Sequence, residues 1–165
     1  MKRLLILRHA KSDWGDSSLD DWERPLNPRG LRDAPGVGSL LREQSLVPDL
    51  IVTSDAVRAR TTANLVAKAA GYDREMVVDP RLYLAKPDDV LEVLCSLPDD
   101  SASTVMIVGH NPGLEDLIVT LTGEHHGMST AALAHLALPI DRWSALDEQV
   151  AATVVDTWRP GDSSP

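Results

Sequence analysis

Apolar residues along this chain fall into short unbroken runs, separated by longer stretches with a helical period. Residues 3–7, Arg-Leu-Leu-Ile-Leu, make the first run and stop at Arg8-His9. Residues 49–53, Asp-Leu-Ile-Val-Thr, break at Ser54-Asp55, and residues 104–108, Thr-Val-Met-Ile-Val, end at Gly109-His110-Asn111-Pro112. Runs this short and this apolar predict strands buried on both faces. Residues 76–78 predict a minor strand. Residues 132–138 and 150–158 predict two final strands joined by a loop around 141–148.

Between the runs the pattern turns helical. Ser54-Asp55 is an N-cap type pair that opens an alanine-rich helix over about 56–70, and Gly71 suits its C-terminal stop. A second helix is expected over about 32–43, weakened by Pro35 and Gly36 near its start. Pro87 begins another, whose Val90, Leu91, Leu94 and Cys95 share one face and so place Cys95 in the core. A further helical stretch follows His110 and finishes before Gly123. The polar segment Lys11–Arg29 holds Pro25 and Pro28, shows no period, and reads as a long loop over the top of the sheet. Strands alternating with helices predict an α/β fold: one domain over 1–160, a mainly parallel sheet covered on both sides, and right-handed crossovers. Residues 161–165 read as a polar tail.

Composition narrows the class. The 165 residues are 43% hydrophobic and 25% charged, the profile of one globular domain. A chain of this length buries roughly 70% of its unfolded surface, enough to fold without staples. Its single cysteine, Cys95, excludes an intrachain disulfide and any multi-cysteine zinc site. The lone thiol and the absence of an export signal predict a cytoplasmic protein. A net charge of -9 argues against nucleic acid and anionic membrane as partners. That charge is uneven: residues 1–82 hold 13 Lys/Arg and 12 Asp/Glu, whereas residues 83–165 hold 3 and 13. The basic side chains therefore belong to the first half.

Three of the predicted strands end in groups able to do chemistry. In an open α/β sheet, ligands bind beyond the carboxyl ends of the strands. Arg8-His9, Ser54 and His110 all stand there, and Arg58, four residues after Ser54, lies in the first turn of the following helix. If the strands are neighbours, two imidazoles and two guanidiniums share one crevice. Such a set suits a phosphoryl group, because each guanidinium offers a planar fork of N–H donors and each helix start adds free backbone N–H groups. Converging histidines could instead hold a metal, but neither His-x-x-x-His nor His-Glu-x-x-His occurs, and His125, His126 and His135 form no ligand pattern.

Leu7-Arg8-His9-Ala10-Lys11-Ser12, Ser54-Asp55-Ala56-Val57-Arg58-Ala59-Arg60-Thr61-Thr62 and Val108-Gly109-His110-Asn111-Pro112 together resemble, in order and spacing, the successive signatures of the histidine phosphatase superfamily. Arg-His-Ala-Lys-Ser, the following Arg24-Pro25-Leu26-Asn27 to Gly30 and the short chain are most similar to the SixA-like phosphohistidine phosphatases. The resemblance covers roughly residues 1–122 and implies a phosphoglycerate mutase-like three-layer α/β/α sandwich. It implies a metal-independent phosphatase with no cofactor, in which His9 attacks phosphorus and becomes a phosphohistidine that water hydrolyses. Arg8, Arg58 and His110 would neutralise the phosphoryl oxygens, with Lys11, Ser12 and Asn111 as further phosphate contacts.

The implied substrate is a phosphohistidine on a protein. A small phosphorylated metabolite, such as a sugar phosphate or a nucleotide, is the alternative, and a non-catalytic phosphate-binding module is a third reading. Mutase activity ranks low, because only 51 residues separate Arg58 from His110 and leave little room for an enclosing insertion. Many relatives carry a glutamate general acid just after a Leu-Tyr element, but here Leu82-Tyr83 is followed by Leu84. Glu115, Asp20 and Asp21 are the candidate substitutes.

Overall fold

The structure is a computed structural model that describes residues 1–162. Six strands form one sheet: β1 (Lys2–Arg8), β2 (Leu50–Thr53), β3 (Val77–Val78), β4 (Thr104–Gly109), β5 (Leu133–Leu138) and β6 (Thr153–Trp158). Their order is β3-β2-β4-β1-β5-β6. β1, β2, β3 and β4 pair in parallel, and β5 runs antiparallel to both β1 and β6. The expected mainly parallel α/β sheet is what forms.

Alternate residues of the central strands feed two separate cores, as the period-two geometry of a strand requires. Leu4, Ile6, Val52, Val105 and Ile107 pack with α3 (Pro87–Cys95) and α4 (Gly113–Thr122) on one face. Leu5, Leu7, Ile51, Met106 and Val108 pack with α1 (Pro28–Glu43) and α2 (Val57–Ala70) on the other. The result is a three-layer sandwich. Cys95 packs against the first core, partly buried. No helix among the described residues is long and apolar enough to cross a membrane.

Two boundaries differ from the expectation. α1 begins at Pro28 rather than near residue 32, because Asn27 caps it through a bond from the Gly30 N–H (2.9 Å) and proline is at home in a first turn. Pro35 sits inside this helix and forgoes one backbone bond. The helix persists because Ala34, Val37, Gly38 and Leu41 are buried, with Gly38 so close to α2 that a Cβ there would lie 2.3 Å from the Val66 carbonyl. The last strand covers 153–158 rather than 150–158, since the Ala152 N–H leaves the sheet to bond the Leu121 carbonyl. Beyond it Arg159 and Asp162 close a turn. Residues 163–165 of the expected tail lie outside the described residues.

Candidate active site

Strand register alone brings the two histidines together. Arg8 of β1 stands opposite Gly109 of β4, and Thr53 of β2 stands opposite Val108 of the same strand. The next residues out of the sheet are therefore His9, His110 and Ser54. The His9 N–H donates to the Gly109 carbonyl (3.1 Å), and the Ser54 N–H donates to the Val108 carbonyl (3.0 Å). The rings of His9 and His110 lie 5.2 Å apart between centroids, and both residues are at least nine-tenths buried.

The bond at one His9 nitrogen determines what the other can do. His9 Nδ1 lies 2.7 Å from the Ala10 carbonyl. A carbonyl only accepts, so Nδ1 carries the proton, and Nε2 keeps its lone pair with no hydrogen bond among the described residues. Burial pushes the His9 pKa down to about 4; the Ala10 carbonyl opposes this, while the cations Arg58, Arg8 and Arg24 reinforce it. Burial, with His9 and Arg58 adding to it, lowers His110 to about 3. Both imidazoles are neutral at pH 7.

Arg58 leans from the first turn of α2 toward His110, with Nη2 3.4 Å from Nδ1. Its other contacts are made by the loop. Nη1 donates to the Asp21 carbonyl (2.7 Å) and Nη2 to Asp21 Oδ2 (2.9 Å). The same carboxylate accepts from Arg24 Nε (3.1 Å) and from the Tyr83 hydroxyl. Tyr83 in turn sets its ring edge against His110, with centroids 5.4 Å apart. Arg8 Nη1 donates to the Met128 carbonyl (3.0 Å). The Nε atoms of Arg8 and Arg58 are buried and have no partner among the described residues. Two desolvated cationic donors left over beside two neutral imidazoles make a site for an anion.

The loop Lys11–Asn27 closes one side of this crevice. It carries one 3₁₀ turn, Asp21–Glu23, and Ser12 bridges to Leu26. It can lie on the first turn of α1 only because residue 30 is glycine, where a Cβ would stand 2.2 Å from the Lys11 carbonyl.

Residues 4–83 match the family model of the histidine phosphatase superfamily (branch 1). An uncharacterised chloroplastic protein of Arabidopsis thaliana is 32% identical over 150 residues, a match covering 86% of this chain and 69% of that one. The chain belongs to the histidine phosphatase superfamily. Among solved structures it is similar to two candidate phosphohistidine phosphatases SixA. One, from Nakamurella multipartitia, has a TM-score of 0.85 at 26% identity, covering 98% of this chain and 97% of the other. The second, from Agrobacterium tumefaciens, has a TM-score of 0.81 at 27% identity, covering 96% and 98%. The chain is thus a SixA-like histidine-type phosphatase.

Of the residues the sequence singled out in this histidine phosphatase, Arg8, His9, Arg58 and His110 converge. Ser12 is buried beside them, where its hydroxyl accepts from Arg24 Nη1 (2.8 Å). Lys11 is half-buried, and its side chain makes no hydrogen bond or ion pair among the described residues. Asn111 does not fit its expected role as a phosphate contact. Its amide nitrogen donates to the Met128 carbonyl (2.7 Å) and Glu115 Oε1 (3.1 Å), and the buried Oδ1 that remains is an acceptor, of the wrong polarity for phosphate.

The candidate acids fare similarly. Glu115 Oε1 also accepts from the Met128 N–H (2.7 Å), so this carboxylate braces the segment on which Arg8 rests. Burial would raise the Asp21 pKa, but hydrogen bonds from Tyr83, Arg58 and Arg24 outweigh it and pull it down to about 2. A carboxylate held so firmly in its charged form is a poor proton donor at neutral pH. Asp20 is exposed at the start of the 3₁₀ turn, with its N–H held by Glu23. Among the described residues no group of three or more His, Cys, Asp and Glu is arranged to hold a metal ion.

Sequence reasoning put Ser54 at the crevice without a role and missed Arg24, Thr62 and Tyr83 as parts of the site. Thr62 ties it together: its hydroxyl donates to the Arg58 carbonyl (2.7 Å) and accepts from the Ala10 N–H (3.0 Å). Ser54, Arg24 and Thr62 lie within the motifs quoted above, so a signal for them was present. Tyr83 had none beyond its place beside the missing glutamate.

Proposed function

We propose that this histidine phosphatase removes the phosphoryl group from phosphohistidine carried on a protein, without a metal, through a phosphohistidine formed on its own His9. The observation that carries this reading is the bond from His9 Nδ1–H to the Ala10 carbonyl. It leaves Nε2 as the nucleophile, in a neutral ring, beside the unpartnered donors of Arg8 and Arg58. The Nε2 lone pair forms the new P–N bond as the bond to the leaving nitrogen breaks. The positive charge that develops on the His9 ring is stabilised by the Ala10 carbonyl dipole. Arg8, Arg58 and His110 meet the three equatorial oxygens, where charge redistributes in the transition state. Water then attacks the same phosphorus, releasing phosphate and returning His9 to its neutral state.

The substrate class follows from the acid that is lacking. Leu84 follows Leu82-Tyr83, where many members of the superfamily carry a glutamate, Glu115 is a brace, and Asp21 is held as an anion. An alkoxide leaving group needs a proton from the enzyme. A phosphorylated imidazole, once protonated by solvent, leaves as a neutral ring and needs far less help. The rim favours a macromolecular substrate as well. Trp14 stacks on Arg24 (3.5 Å), Trp22 belongs to the turn that holds Arg58, Leu84 follows Tyr83, and all three are exposed. Exposed apolar side chains on segments that meet at Asp21 suit a protein-binding surface.

A panel of a phosphohistidine protein, a sugar phosphate and an aryl phosphate tests the reading. The expected order of kcat/KM places the phosphohistidine protein first and the sugar phosphate last. Faster hydrolysis of the sugar phosphate would overturn it. The pH profile offers a second check. Because burial lowers His9 to about 4, the nucleophile stays neutral as pH falls from 8 to 5, and the loss of kcat/KM that reports its protonation is expected near pH 4. A loss of activity centred at pH 6 to 7 that follows His9 would show an imidazole of ordinary basicity.

A further inference from the structure

We propose that Ser54 is a positioning residue that fixes the tautomer of His110, so that His110 presents an N–H to the phosphoryl group. This rests on the reading of His110 as a phosphoryl contact. Ser54 is fully buried at the end of β2, and its Oγ lies 2.8 Å from His110 Nε2. The same oxygen already accepts from the Ala56 N–H (3.2 Å). The hydroxyl has one proton, and a buried proton needs an acceptor. Among the described residues His110 Nε2 is the partner that remains. Ser54 therefore donates to Nε2, and a neutral imidazole that accepts at Nε2 carries its own proton on Nδ1.

Nδ1 is the atom that faces Arg58 Nη2, 3.4 Å away. With Ser54 as donor, both of these nitrogens are donors, and an oxygen anion is what can be shared between them. In the opposite tautomer Arg58 would donate across that long contact to Nδ1. The Ser54 proton would then have no acceptor among the described residues, and His110 would have nothing to offer a phosphoryl oxygen. One 2.8 Å bond that satisfies a buried hydroxyl outweighs one 3.4 Å contact that leaves it orphaned. Burial keeps the ring neutral, so the choice of tautomer decides its polarity toward the ligand.

The experiment has two arms. In substrate-free protein labelled with ¹⁵N-histidine, the His110 resonances, identified by their loss in His110→Gln, are expected to show a protonated Nδ1 and an unprotonated Nε2. Ser54→Ala is expected to shift that balance and to lower kcat about 10- to 100-fold with KM little changed. That is less than the 10²–10³ typical of losing a transition-state donor outright. Ser54→Thr, which keeps the hydroxyl, is expected to restore the tautomer and most of kcat. Loss of the bond to Ala56 alone would lower the melting temperature without moving the tautomer. A wild-type spectrum with Nε2 protonated overturns the proposal, even if Ser54→Ala does not fold, and so does a folded Ser54→Ala with wild-type kcat. Because the spectrum is read without substrate, it stands apart from any failure of the His9 mechanism.

Discussion

His9→Ala is expected to abolish turnover, with kcat falling on the order of 10⁶-fold, the scale on which deletion of a covalent nucleophile acts. The reason lies in the local geometry. His9 is the residue whose Nδ1–H is committed to a backbone carbonyl and whose Nε2 is unbonded beside the two arginines. His110 cannot take over, since its Nε2 is engaged with Ser54 at 2.8 Å. Rapid quench with ³²P-labelled substrate is expected to trap a phosphoenzyme in the wild type, labile to acid and stable to base as phosphohistidine is, and none in the variant. The fold should survive, because the backbone bonds of His9 to Gly109 and Ala131 do not involve its side chain. Activity that persists in His9→Ala would show that phosphorus is attacked by another group or directly by water.

Arg58→Ala is expected to lower kcat by about 10²–10³-fold, the usual cost of one donor aimed at transition-state charge. Arg58 is almost wholly buried. Two of its nitrogens are clamped by Asp21 and the third, Nε, is unpartnered among the described residues. That clamp fixes the plane of the guanidinium before substrate arrives, so little reorganisation is left for the reaction itself. Arg58→Lys should recover little of the loss, because an ammonium cannot bond Asp21 on one edge and a phosphoryl oxygen on the other. Steady-state kinetics of the three proteins on one phosphohistidine substrate decide the matter. A kcat for Arg58→Ala within tenfold of the wild type would remove Arg58 from the transition state and leave it as a support for the loop.

The elements were legible because their causes are local. Leu4 to Leu7, Ile51 to Thr53 and Val105 to Val108 announce buried strands, and Gly71 announces a helix stop, in the left-handed conformation it takes with φ at 74°. α1 starts four residues before its apolar period does because Pro28, Arg29 and Leu31 of its first turn are exposed; the start is marked by the Asn27 cap and Pro28 instead. The site was legible in part for a different reason. Each of Arg8, His9, Arg58 and His110 sits where an apolar run ends or a helix begins, a one-dimensional signal. Asn111 and Glu115 sat in equally suggestive places, and only the Met128 segment, seventeen and thirteen residues further on, shows that each is occupied by structural bonds. Spacing along a chain carries no information about which partner arrives first.

The sequence by itself determined the alternation of strand and helix, the superfamily signature, and the confinement of most basic residues to the first half of an acidic chain. Those properties depend on residues near one another in the chain, or on a simple count. Only the tertiary structure decided that β4 lies between β1 and β2, which is what places His9, His110 and Ser54 side by side. Only it decided that Asp21, from a loop the sequence leaves without a period, holds Arg58 and is itself held as an anion. The physical reason is the same in both cases. Strand order and ion pairing are settled by packing and desolvation among residues 37 to 101 positions apart, and burial changes what each group can do after it arrives.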